Sequence, residues 1–134
     1  QPTVMLDVAH NPHAIAHLAA NLDQMGFFPE TYAILGMLSD KDVEASLKSI
    51  APRIQHWMLC TLPGPRGLSA QALEQKLLQN QSLAVDALGQ IASVSCFESP
   101  RLAYAAARGL AQDNDRFLAF GSFLTVADVL AGLG

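Results

Sequence analysis

Thr3-Val4-Met5-Leu6-Asp7-Val8-Ala9-His10-Asn11-Pro12, together with the run that follows it to Met25, changes period in mid-course. Residues 3–8 are short, apolar and partly β-branched, whereas from Pro12 onward Ile15, Leu18, Ala19 and Leu22 recur at helical spacing on one face. Asn11-Pro12 marks the switch, with an N-cap acceptor before a proline at the first helical position, where the missing N–H is not needed. A strand therefore runs through a tight turn into a helix. The alternation repeats along the chain. Strands are predicted at Tyr32 to Met37, Ile54 to Cys60, Ser93 to Phe97 and Phe117 to Phe120. Helices are predicted at Val43 to Ala51, Ser69 to Leu78, Pro100 to Ala111 and Val126 to Leu133. Strands apolar on both faces and separated by helices imply a mostly parallel sheet with right-handed crossovers. The predicted class is α/β, a Rossmann-like three-layer sandwich with helices on both faces.

The punctuation agrees. Ser99-Pro100 repeats the Asn11-Pro12 signal, and Ser39-x-x-Asp42 and Thr125-x-x-Asp128 read as capping boxes. Thr61-Leu-Pro-Gly-Pro-Arg-Gly67 must be a loop, and Asn80 to Gln90, which has no period, is expected to be loop or irregular. With 134 residues, 51% hydrophobic and 15% charged, against about 25% charged in an average domain, the chain predicts one domain with a large core.

Composition also excludes partners. The net charge is −4, and scattered basic residues provide no footprint for nucleic acid or anionic lipid. The apolar stretch from Phe117 to Gly134 is cut by Gly121, Ser122, Thr125, Asp128 and Gly132, so no membrane span is expected. Cys60 and Cys96 lie far apart without metal-ligand spacing, which suggests neither a disulfide framework nor a zinc site. A reducing cytoplasm is the expected compartment, since no secretory signal pattern opens the chain. The start at Gln1-Pro2, directly before a strand, reads as a piece of a longer polypeptide.

Ligands in open α/β sheets bind outside the carboxyl ends of strands, beside helix N-termini. Three loops there carry candidate chemistry and are expected on one edge: Asp7 to Pro12, Leu35 to Asp42 and Phe120 to Thr125. Asp7 is either a turn cap or a functional carboxylate. His10 either stabilises its turn or donates to a phosphate or acyl oxygen near the positive end of a helix dipole. Ser122, after Gly121, is an N-cap or a ligand contact. His13 and His17 stand at i, i+4 but lack the glutamate of H-E-x-x-H, so they read as surface residues. His56 and Trp57 read as packing, Lys41 as a solvated cation between two aspartates, and Arg66 as the partner of a neighbouring carboxylate. The chain has no G-x-S-x-G elbow, no P-loop and no G-x-G-x-x-G. It brings no phosphate cradle of its own.

Leu6-Asp7-Val8-Ala9-His10-Asn11-Pro12-His13-Ala14, Gly36-Met37-Leu38-Ser39-Asp40-Lys41-Asp42, Gly64-Pro65-Arg66-Gly67 and Gly121-Ser122-Phe123-Leu124-Thr125-Val126-Ala127 together resemble one family over nearly the whole chain. That family is the C-terminal domain of bifunctional folylpolyglutamate synthase/dihydrofolate synthase, in the Mur ligase superfamily. The resemblance implies an ATP-dependent amide ligase using ATP and Mg2+, with L-glutamate and dihydropteroate or folate as substrates. It also implies a separate N-terminal domain that carries the P-loop, the magnesium site and most of the folate pocket. Residues 1–134 would then be a single domain that closes over its own N-terminal domain within a monomer. Asp7 and His10 would be catalytic; Asp7, His10 and Asn11 would contact ATP; Ser122 and Phe123 would line the glutamate site; no residue here would bind metal. Leu124 departs from the family pattern, in which His is frequent at this position. The competing reading is a non-enzymatic nucleotide-binding or regulatory module. A receiver-like domain would need an acid after its third strand, where Cys60-Thr61-Leu62-Pro63 has none. A stand-alone Rossmann binder would need glycines where His10-Asn11-Pro12 stands.

Overall fold

The structure is a computed structural model and describes residues 1–133. Its strands are β1 (Thr3–Leu6), β2 (Thr31–Leu35), β3 (His56–Cys60), β4 (Ser93–Phe97) and β5 (Arg116–Phe120). Its helices are α1 (Pro12–Gln24), α2 (Val43–Leu47), α3 (Ala70–Gln79), α4 (Pro100–Leu110) and α5 (Phe123–Leu133). The strands form one sheet in the order β1-β5-β2-β3-β4, and every pairing is parallel.

Successive side chains of a strand point to opposite faces, and β2 and β5 are buried at every position because both faces are covered. On one face Ala33, Leu35, Trp57, Leu59, Leu118 and Phe120 pack with Ile15, Leu18 and Leu22 of α1, Leu47 of α2 and Leu73 and Leu77 of α3. On the other, Tyr32, Ile34, Met58, Cys60, Phe117 and Ala119 meet Ala103, Tyr104 and Ala107 of α4 and Val129 of α5. The three-layer α/β reading of the sequence is thus realised, with a sheet that is wholly parallel. Trp57 is fully buried, and its indole N–H donates to the Leu83 carbonyl at 3.2 Å. That bond ties down the aperiodic segment, which forms a 3-10 turn over Gln81–Ala84 and a bridge between Val85 and Ile91.

Three local expectations are corrected. The second helix stops at Leu47 rather than Ala51, giving way to a 3-10 turn over Ala51–Arg53. Pro52 has no N–H for the carbonyl one turn back and disfavours the α conformation at Ala51. Its N-cap is Asp42, whose Oδ1 accepts from the Ala45 N–H at 3.2 Å, so Ser39 caps nothing there. The last helix begins at Phe123, not Val126: Ser122 Oγ accepts from the Thr125 N–H at 3.1 Å, which places Thr125 inside the first turn. Asp128 serves the neighbouring helix, accepting from the Arg101 N–H at 2.8 Å at the start of α4.

The topology makes a crevice. α1 crosses from β1 past β5 to β2 over one face, while α4 returns from β4 to β5 over the other. The chain therefore leaves β5 toward the opposite face from β1 and β2, the switch point at which parallel sheets bind ligands. Among the described residues, no helix is long and apolar enough to cross a membrane.

Candidate functional site

The three loops singled out from the sequence meet at this crevice, because β5 lies between β1 and β2. They are stitched by short bonds: Asp7 N–H to Ala119 O at 3.0 Å, Gly121 N–H to Ala9 O at 3.0 Å, and Thr125 Oγ1 to Gly36 O at 2.9 Å. Gly121 has φ of +109°, and a Cβ there would run into the Gly36 carbonyl oxygen. Only glycine allows β5 to turn into α5 this close to the loop after β2.

Between the loops lies a cavity of about 320 Å³ lined by Val8, His10, Leu38, Lys41, Gly121, Ser122 and Phe123. Of the residues proposed from sequence, His10, Ser122 and Phe123 are brought together here. Asp7 and Asn11 belong to the same turn but build it rather than line the cavity. Asp7 Oδ1 accepts from the Ala9 N–H at 2.8 Å, and Asn11 Oδ1 caps α1 through the Ala14 N–H at 2.8 Å.

The hydrogen bonds define what each group has left to offer. His10 Nδ1 lies 3.0 Å from the Val8 carbonyl oxygen. A carbonyl only accepts, so Nδ1 carries the proton, and the outer Nε2 can donate to a ligand only when the ring is an imidazolium. Thr125 Oγ1 gives its single proton to Gly36 O, so the contact of 3.1 Å between Ser122 Oγ and Thr125 Oγ1 is donated by Ser122. The Ser122 hydroxyl also accepts from the Thr125 N–H. Its proton and one of its two lone pairs are thus used inside the protein. The N–H groups of Phe123 and Leu124 precede the first intrahelical bond of α5, and of these two residues Phe123 lines the cavity.

Lys41 is the residue sequence reasoning passed over. It is half-buried, lines the cavity and lies 3.8 Å from Asp40, whose Oδ2 also receives Arg66 Nη2 at 3.1 Å. Partial desolvation pushes the Asp40 carboxyl up, but Lys41 and Arg66 outweigh it and hold it below its ordinary value. Arg66 has thus found the neighbouring carboxylate its position suggested. The clue to Lys41 was its place after β2, which matters only once the strand order makes β2 a neighbour of β5. Leu124 lies outside this crevice and borders a second cavity of about 430 Å³ between α4, α5 and the loop after β3. His13 and His17 are an exposed edge-to-face pair with ring centroids 4.9 Å apart, and His56 packs between strands, stacked on Tyr32 at 4.3 Å.

The model of the family described as Mur ligase, glutamate ligase domain matches residues 1–123, and the chain belongs to that family. Among its relatives, the dihydrofolate synthase/folylpolyglutamate synthase of Escherichia coli (strain K12) is 34% identical over 129 residues, covering 96% of this chain and 27% of that protein. The structure of E. coli FolC in complex with DHPP and ADP matches with a TM-score of 0.81 and 33% identity, over 97% of this chain and 28% of that one. A bifunctional folylpolyglutamate synthase/dihydrofolate synthase with Mn, AMPPNP and L-glutamate bound matches with a TM-score of 0.81 and 36% identity, over 98% of this chain and 29% of that one. The chain spans little more than a quarter of the length of these relatives.

Proposed function

We propose that this chain is the glutamate-handling domain of a two-domain, cytoplasmic, monomeric ligase. In this reading ATP activates the carboxylate of dihydropteroate or the γ-carboxylate of a folate as an acyl phosphate, and the amine of L-glutamate attacks it to form an amide. The observation that carries the reading is the crevice at β5, where a cation, an imidazole and the start of α5 at Ser122 and Phe123 line one cavity. Its support from relatives is that those most similar are named as folate ligases and that one of them was solved with a nucleotide analogue and L-glutamate.

The chemistry follows from the free groups. The Phe123 N–H and the positive end of the α5 dipole suit a carboxylate of the incoming glutamate, and Lys41 supplies a positive charge in the same cavity. Ser122 acts on this site by capping the helix and aiming those donors. His10 Nε2, as imidazolium, donates to the phosphoryl or acyl oxygen where negative charge grows in the transition state. Asp7 and Asn11 hold the turn that places His10. Among the described residues, no group of three or more His, Cys, Asp or Glu gathers in a way that could hold a metal ion. In this reading the nucleotide's Mg2+ and phosphate cradle belong to the N-terminal domain, and this chain folds without turning over alone.

The test is ligation of L-glutamate to dihydropteroate in the two-domain protein. His10→Ala should lower kcat/KM by roughly 100-fold, the size of one preorganised donor, while the fold is retained. A kcat/KM within about threefold of wild type would reduce His10 to a turn former.

A further inference from the structure

Arg116 opens β5 at the edge of the sheet opposite the crevice and is only 6% exposed. A guanidinium buried this deeply ordinarily faces a carboxylate. Here its partners are neutral. Nε donates to Thr31 Oγ1 at 2.7 Å, Nη1 donates to the Leu22 carbonyl at 3.0 Å and approaches Met25 Sδ at 3.8 Å, and the group lies 4.8 Å from the centre of the Phe28 ring. Among the described residues no carboxylate forms a salt bridge with it. Asp23, the acid whose charge reaches it, is held by both Nε and Nη2 of Arg53, at 2.8 and 2.7 Å. Burial accordingly pushes the Arg116 guanidinium below its ordinary value, with Asp23 opposing and Arg53 reinforcing the shift.

Among the described residues the remaining nitrogen, Nη2, has no partner, and Arg116 borders a cavity of about 230 Å³ shared with Thr31, Gln55, Arg53 and Phe27. Gln55 Oε1 is engaged by the Thr31 N–H at 2.7 Å, which leaves its amide N–H groups as further donors. The lining therefore holds two guanidinium groups against the single carboxylate of Asp23, with spare donors and one uncompensated positive charge. We propose that this cavity binds a small oxyanion, a phosphate or a compact carboxylate, on Arg116 Nη2. The site is separate from the crevice, one strand length or about 13 Å away.

The test is titration of the chain with sodium phosphate, and separately with sodium succinate, against sodium chloride at matched ionic strength. The readout is NMR of the Arg116 Nε–H and of the Gly26 and Thr31 amides. Saturable shifts at these signals, absent with chloride, are expected, and the arm that saturates identifies the class of oxyanion. Arg116→Met should abolish them. Phe27→Glu, at a position 89% exposed beside the cavity, leaves Arg116 in place and supplies a built-in carboxylate, so it decides the matter even where Arg116→Met does not fold. It should weaken anion binding at least tenfold. Absence of saturable shifts with both anions, or affinity in Phe27→Glu within about twofold of wild type, overturns the proposal.

Discussion

At the C-terminal end of β5 the hydroxyls of Ser122 and Thr125 and the Gly36 carbonyl satisfy one another, so what faces the crevice is backbone N–H, Lys41 and the His10 ring. At the N-terminal end Arg116 satisfies Thr31 and the Leu22 carbonyl and still has a nitrogen to offer. The two ends of one strand thus solve opposite problems. In a parallel sheet the helices start at one edge and finish at the other. Free N–H groups and positive dipole ends collect at the first edge, where the local side chains work as caps and spacers. Helix C-terminal carbonyls collect at the second, and that of Leu22, near the end of α1, accepts from both the Met25 N–H and Arg116 Nη1. A cation suits that edge, which is why a buried guanidinium is tolerated there without a carboxylate in contact.

Substitutions at the two ends should break this contrast by different amounts. Gly121→Ala should cost the most, on the order of 2 to 5 kcal/mol, from a positive φ combined with an overlap on the Gly36 carbonyl; urea denaturation would read it as a lowered midpoint. An unchanged midpoint would mean that the loops after β2 and β5 are not locked together. Thr125→Val, equal in shape, leaves Gly36 O and the Ser122 hydroxyl without their partner and should cost about 1 to 3 kcal/mol, whereas Ser122→Ala loses an N-cap at about 1 kcal/mol. The two effects should be non-additive in a double-mutant cycle; simple additivity would separate Ser122 from the relay. The smallest effect belongs to the other end. Asp23 is held below its ordinary value by the Arg53 hydrogen bond first and the Arg53 charge second. Its folded-state value is depressed, so the stability from the pair is complete above the ordinary aspartate value near pH ~3.9 and is lost as pH falls through the lowered value. Because Asp23 is about half-exposed, the contribution stays below about 1 kcal/mol. Asp23→Asn should flatten stability against pH in that acid range and, above pH ~6 where the wild-type pair is fully ionised, lower it by the pair's contribution of less than about 1 kcal/mol; an equal acid slope in wild type and variant would show the pair to be inert.

Much of the site was legible because its signals are local. Asn11-Pro12 and Ser99-Pro100 cap helices where their side chains and the adjoining periodicity require. His10, Ser122 and Phe123 were marked by loops that follow strands, and all three line the crevice. The misread capping boxes share one cause. Thr125-x-x-Asp128 satisfies the capping pattern, yet Ser122 captures the Thr125 N–H three residues earlier and Asp128 turns to α4. A pattern of hydroxyl and acid does not say which of two competing acceptors a given N–H will reach.

By itself the sequence determined the alternation of strand and helix, the burial of both sheet faces, the three loops and the family to which the chain belongs, because periodicity, caps and motifs are properties of neighbouring residues. The tertiary structure decided the insertion of β5 between β1 and β2. That placement brings Lys41 to the cavity, fixes the proton directions around Ser122 and leaves Arg116 buried without a carboxylate in contact. Those outcomes depend on which strands become neighbours and which polar groups compete across 85 to 94 residues of chain, where only the folded geometry settles which donor meets which acceptor.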